Sequence, residues 1–146
     1  MKTILGAVLV TIATTSACAQ DIIGTWRYID DKTGEPKGLV KIEKQANGTY
    51  AGTALKATPR PGYTAKEFCT NCPAPYTDKP IIGMQVITGL KTENNINYTH
   101  GKIIDPVSGK LYSLKGKISP NGKKLFLRGY LGVSAVERSQ TWLRVE

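Results

Sequence analysis

Histidine, methionine, phenylalanine and tryptophan are scarce in this chain, at one, two, two and two residues in 146, and cysteine occurs three times. A lone histidine, His100, rules out multi-histidine metal sites. With no second cysteine pair, Cys69 and Cys72 fall short of the four ligands a closed zinc site normally takes. As a general base His100 would need an oriented acid or nucleophile, and Glu67, Asp78 and Asp105 stand at no spacing that supplies one. No serine has nucleophile-elbow spacing, and no glycine loop is of the phosphate-cradling kind. The sequence therefore offers no catalytic residues, no metal site and no cofactor site, and predicts a protein that is not an enzyme.

Acidic residues are also few, 11 against 20 Lys and Arg, for a formal net charge of +9. Such an excess permits attraction to DNA, anionic lipid or acidic polysaccharide. The positions argue otherwise. Lys32, Lys37, Lys41, Lys44, Lys56, Lys102, Lys110, Lys115 and Lys117 are separate, and only Lys123 and Lys124 are adjacent. Lysines at alternating or turn positions suit a solvated sheet face and shield strand edges. Nucleic-acid binding would need clustered cations interleaved with exposed aromatics, so it is not expected. Beyond the first twenty residues no stretch approaches the roughly 18 consecutive apolar residues of a membrane helix, and no segment carries a capped 3.6-residue stripe.

What is present begins with a leader. Lys2, an apolar run over 4–15 and the small-x-small site Ala17-Cys18-Ala19 have the order of a secretory signal peptide, predicting removal of 1–19 and a mature start at Gln20. Lipid attachment at Cys18 is the alternative, weakened by Thr15 where a Leu-like residue is usual. The expected destination is the periplasm or the exterior. The remainder, 20–146, has the length of one domain with one core or one small cavity.

That remainder reads with period two almost throughout. Strands are predicted over 22–29, 39–44, 49–55, 81–90, 96–104, 110–118, 123–131 and 137–145. Between most of them stand turn residues, among them Asp30 to Gly34, Asn47-Gly48, Asp105 to Gly109 and Asn121-Gly122. One long connection, 56–80, holds Pro59, Pro61, Pro73, Pro75 and Pro80 with both Cys69 and Cys72, and proline keeps it out of a central strand. Connections of that length are generally functional or mobile. Gly52, Gly83, Gly101, Gly116 and Gly129 fall inside strands and point to bends or close backbone approach. Eight strands joined by hairpin-like turns predict an all-β, antiparallel eight-stranded barrel, with a sandwich of two sheets as the alternative.

In an oxidising compartment Cys69 and Cys72 would form a disulfide that staples the long loop. A redox-active pair would need a lowered thiol pKa and a βαβ context that is missing here, and a reduced pair stays open as an alternative. Alternation marks Trp26, Tyr28, Val40, Ile42, Tyr50, Met84, Val86, Tyr98, His100 and Tyr112 as candidates to line a barrel interior. The expected partner is a small, largely apolar molecule, with loop 56–80 as a lid. The alternative is a structural or interaction module that binds another envelope protein, its barrel filled by side chains such as Trp26, Tyr130 and Trp142.

Gly24-Thr25-Trp26 on the first strand resembles the Gly-x-Trp signature of lipocalins. That resemblance implies that Trp26 closes one end of the barrel beneath a basic side chain of the last strand, for which Arg144 is the positional match. Further stretches are Ile23-Gly24-Thr25-Trp26, Asp30-Asp31-Lys32-Thr33-Gly34, Cys69-x-x-Cys72, Pro80-Ile81-Ile82-Gly83 and Gly101-Lys102-Ile103-Ile104-Asp105-Pro106. Then follow Gly109-Lys110-x-Tyr112, Arg128-Gly129-Tyr130-x-Gly132 and the terminal Arg138 to Val145. In this order they resemble a bacterial domain-of-unknown-function family, number 2147, over almost all of 21–146. The resemblance implies an exported, lipocalin-like barrel and no established reaction or ligand.

Overall fold

A computed structural model describes residues 3, 6, 8–12, 21–132 and 136–145. Cys18, with the cleavage and lipidation alternatives built on it, lies outside the described residues. Eight strands follow one another: β1 Gly24–Ile29, β2 Pro36–Lys44, β3 Tyr50–Ala57, β4 Gln85–Thr92, β5 Asn97–Ile104, β6 Leu111–Ile118, β7 Lys124–Leu131 and β8 Val136–Arg144. Each pairs antiparallel with the next, and β1 pairs with β8 through Trp26 opposite Arg144 and Tyr28 opposite Trp142, which closes the barrel. The two-sheet alternative is thereby corrected. A sandwich would leave β1 and β8 as free edges, and here they satisfy each other's backbone groups.

The turns form where side chains can replace ladder hydrogen bonds. Asp30 Oδ1 accepts the N–H groups of Lys32 and Thr33 at 2.9 and 3.0 Å, and Asp105 Oδ1 accepts that of Val107 at 3.0 Å. Asn94 and Asn121 do the same at the opposite end, for Ile96 and Asn97 and for Lys123. Because the strands form an up-and-down meander, the β1–β2, β3–β4, β5–β6 and β7–β8 connections share one end of the barrel. The chain entering β1 and the other three turns share the opposite end.

Alternation directs one face of each strand inward. Trp26, Ile42, Leu90, Tyr98, Leu114 and Leu125 are among the most deeply buried side chains, while Phe126 on the outward face of β7 is 45% exposed. A β-bulge between Tyr98 and Gly101 interrupts the alternation in β5. Two residues, Thr99 and His100, there separate neighbouring inward positions, and His100 takes a φ of 64°. Gly101 returns to the interior so closely against β4 that a Cβ would lie 2.6 Å from Leu90 Cδ2. No larger residue fits there without displacement of Leu90.

Most boundaries differ from the sequence expectation by one or two residues, and three differences have a visible physical cause. β2 begins at Pro36 rather than 39, because the bulge at Tyr28–Ile29 lets β1 pair further along it. β3 continues through Lys56 and Ala57, which pair with Leu39 and Gly38. Residues 81–84 form a turn rather than the start of β4, with Met84 N–H bonded to the Ile81 carbonyl and Gly83 at a φ of 89°. The long connection is thus 58–84.

Candidate functional site

The barrel interior divides into two halves. At the end where the chain enters β1, side chains fill the space. Trp26 Nε1 donates to the Ile22 carbonyl at 2.9 Å, and Tyr50 and Tyr98 meet edge to face at 5.4 Å between ring centroids. Burial pushes the Tyr98 phenol up to about 12, against a smaller opposing pull from the Ile22 backbone amide. Arg144 covers this end. Its guanidinium carbon lies 4.4 Å from the centroid of the Trp26 ring. Its Nε donates to the Gly122 carbonyl at 2.6 Å, Nη1 to Ile23 at 2.7 Å and Nη2 to Asp21 at 2.6 Å. One side chain therefore ties the incoming segment, the β6–β7 turn and the indole together. Burial lowers its pKa from the free arginine value, though an arginine stays charged throughout the accessible range.

At the other end the interior is not filled. A cavity of about 340 Å³ lies beneath the 58–84 connection. Its apolar wall includes Val40, Ala54, Val86, Ile104, Tyr112, Leu114, Leu127 and Trp142. Tyr28 packs against Trp142 with ring centroids 5.9 Å apart, and burial foremost, with Tyr63 next, raises its phenol pKa, so Tyr28 remains an O–H donor. A barrel filled from end to end is corrected to one filled only in its closed half.

Polar groups gather at the mouth. Among the described residues, Lys37, Arg60, Lys66 and Arg138 line it with a single carboxylate, Asp105. Asp30, held by its own turn, presents Oδ2 to Lys37 Nζ at 3.1 Å and to Arg60 at 3.9 Å. The Lys32 and Thr33 amides first, and then Lys37, hold the Asp30 carboxyl well below the usual carboxylate range. Arg138 reaches Asp105 at 3.4 Å and Asp31 at 4.0 Å. Lys66 Nζ donates to the Pro106 carbonyl at 3.2 Å.

The 58–84 connection is an ordered cover. Cys69 and Cys72 are joined by a disulfide and both are buried. The Cys69 N–H bonds to the Lys79 carbonyl, the Asp78 N–H to Cys69 and the Ile81 N–H to Glu67, so the segment closes on itself. It rests on the β5–β6 turn, where Gly109, at a φ of 75°, approaches Asn71 so tightly that a Cβ would fall 1.9 Å from the Asn71 carbonyl oxygen. From this cover Arg60, Tyr63, Ala65, Lys66 and Ile81 face the cavity.

Of the ten residues marked from the sequence, Tyr28, Val40, Val86 and Tyr112 line the cavity. Trp26, Ile42, Tyr50 and Tyr98 are packed in the filled half, and Met84 is buried in the turn before β4 without reaching the cavity wall. His100 is corrected: the bulge in β5 turns it outward, where it is exposed and Nδ1 lies 2.8 Å from Thr99 Oγ1. Tyr130 likewise does not plug the barrel, since it lies on the outer face beneath Lys115, 5.2 Å from the ring centroid. The sequence reading missed Arg138 and Gln140 as cavity residues and gave Trp142 only as a side chain filling the barrel, although the three alternate with one another and with Arg144 on β8. Arg60 and Lys66 had no such signal, because they stand in an aperiodic loop. Among the described residues, no three His, Cys, Asp or Glu side chains come together as a metal site requires, and no helix is long and apolar enough to cross a membrane.

A closed eight-stranded antiparallel barrel, plugged at one end by a tryptophan under an arginine and hollow at the other, is a lipocalin-like fold. Residues 24–144 match the family described as "Uncharacterized protein conserved in bacteria (DUF2147)", and the chain belongs to that family. Among solved structures it is similar to protein HP1028 from the human pathogen Helicobacter pylori, which is described as belonging to the lipocalin family. The two superpose with a TM-score of 0.70 at 19% identity, over 86% of this chain and 84% of that one. At this identity the likeness is one of fold. No curated protein is significantly similar in sequence.

Proposed function

We propose that this protein is an exported, non-enzymatic carrier that takes a small, largely apolar molecule into the open half of its barrel. The observation that carries the reading is the cavity of about 340 Å³, walled by aliphatic and aromatic side chains and closed below by the Trp26 plug. A concave apolar site with few polar groups is the usual form of a small-molecule site. At about 30 Å³ per water-sized group, it has room for on the order of ten such groups. Export is supported by the leader pattern and by Val8, Leu9, Val10 and Ile12, each at least 75% exposed and so contributing nothing to the barrel core.

Native mass spectrometry of the protein purified from its own bacterial envelope tests the proposal. The expected result is a stoichiometric mass excess that is lost on denaturation. Ala54→Phe provides the companion test. Ala54 faces the cavity, and a phenyl ring there should abolish the excess while leaving the barrel folded by circular dichroism. Protein that carries no added mass and binds no apolar probe would refute the carrier reading.

A further inference from the structure

The mouth of the cavity carries more positive charge than the surrounding carboxylates use. Among the described residues, four cationic side chains line it against one lining carboxylate, Asp105, and Asp30 is not part of that lining. Lys37 and Arg138 have acidic partners at 3.1 and 3.4 Å. Arg60 and Lys66 do not have comparable ones. Lys66 has a carbonyl as its hydrogen-bond acceptor, and Arg60 reaches Asp30 only at 3.9 Å.

Arg60 is the more informative of the two. Its side chain is 17% exposed, and its Nε is buried with no hydrogen-bond partner among the described residues. A buried donor left unpaired is costly, and more so on a charged group. The Tyr63 ring covers one face of the guanidinium, 4.2 Å from the ring centroid to Cζ. Stacking occupies the face and leaves the in-plane N–H groups, the ones that match a carboxylate or phosphate oxygen pair. Apolar walls below, and above them two cations without a close carboxylate, are the two halves of one amphipathic binding surface.

We infer that the ligand is an amphipathic anion. A single apolar chain or ring of on the order of ten heavy atoms occupies the barrel, and a carboxylate-like head is held at the mouth by Arg60 with Lys66 beside it. This inference rests on the carrier reading and names the ligand class for the same cavity. In a partly water-excluded mouth, hydrogen bonds between ionised groups are stronger than neutral ones, so the head sets orientation as well as affinity.

The test uses decanoate, decanol and decylammonium, three probes with the same chain and different heads, titrated calorimetrically into the full-length protein, Arg60→Gln and Lys66→Met. The expected order is decanoate tighter than decanol by about ten-fold or more, with decylammonium weakest. Arg60→Gln should bring decanoate to within about three-fold of decanol while decanol binding stays intact, which also shows that the variant is folded. Lys66→Met should narrow the gap to a smaller extent. Decanol binding as tightly as decanoate, or a gap that survives both substitutions, would overturn the anionic head and leave the carrier standing. Failure of all three probes would overturn this ligand class. The carrier itself would then stand or fall on the mass excess of the envelope-purified protein.

Discussion

Replacing Arg144 with alanine tests whether one side chain holds the closed end of the barrel. The guanidinium donates to the carbonyls of Asp21, Ile23 and Gly122 and stacks on Trp26. Hydrogen bonds from a charged group are worth about 1.5–3 kcal/mol each, and a cation over an indole about 0.5–2 kcal/mol. The full sum is not expected, because Arg144 is only half-buried and the freed carbonyls recover water. Discounting for solvent leaves a loss of about 2–4 kcal/mol, equivalent to about 10 °C in Tm for a domain of this size. Urea denaturation of Arg144→Ala measures the loss directly. Hydrogen exchange should also quicken at the amides of 21–25, the segment that Arg144 ties down. Arg144→Lys keeps the charge without the planar fork, so it should recover less than half of the stability. A double cycle with Trp26→Phe should return a coupling of about 0.5–2 kcal/mol. A loss below about 1 kcal/mol for Arg144→Ala, or a lysine variant equal to the native protein, would refute the reasoning.

Three further outcomes follow from the packing and the charges. Gly101→Ala places a methyl 2.6 Å from Leu90 Cδ2, and should lower stability by about 1–3 kcal/mol in urea denaturation; an unchanged midpoint would show that Leu90 has room to move. The native pKa of Asp30 is lowered by the Lys32 and Thr33 amides and by Lys37, so its contribution is complete above the unfolded value of about 3.9 and is lost as pH falls through the native value. Asp30→Asn should therefore be less stable than the native protein at neutral pH, with a gap that shrinks below about pH 4; a gap equal at both pH values would count against the assignment. The Cys69–Cys72 bridge closes so small a ring that Cys72→Ser should cost only about 2 kcal/mol in thermal unfolding. The same substitution should accelerate proteolysis within 58–84, and cleavage confined to other turns would place the role of the bridge elsewhere.

Much of the architecture was legible because β-structure writes itself locally. Tyr28, Val40 and Tyr112 belong to plain two-residue alternations, and alternation was enough to place them on an inward face. His100 was misplaced by the same rule, since one extra residue in β5 inverts every inference drawn beyond it from Tyr98. The position of Met84 failed for a related reason: Ile81 to Met84 alternate acceptably, yet Gly83 bends them into a turn.

The sequence by itself determined eight strands, their antiparallel order, the inward set along most of each strand, and a proline-rich connection over one end. These follow from short-range rules of side-chain period, turn chemistry and the φ restriction of proline. Only the tertiary structure decided that the sheet closes on itself, that its interior is filled by Trp26, Tyr50 and Tyr98 at one end and hollow at the other, and that Arg60 and Lys66 from the long loop meet Lys37 and Arg138 at the mouth. Closure depends on the stagger accumulated over all eight strands, and a void depends on the summed volumes of side chains far apart in the chain. Neither quantity is carried by any local stretch of residues.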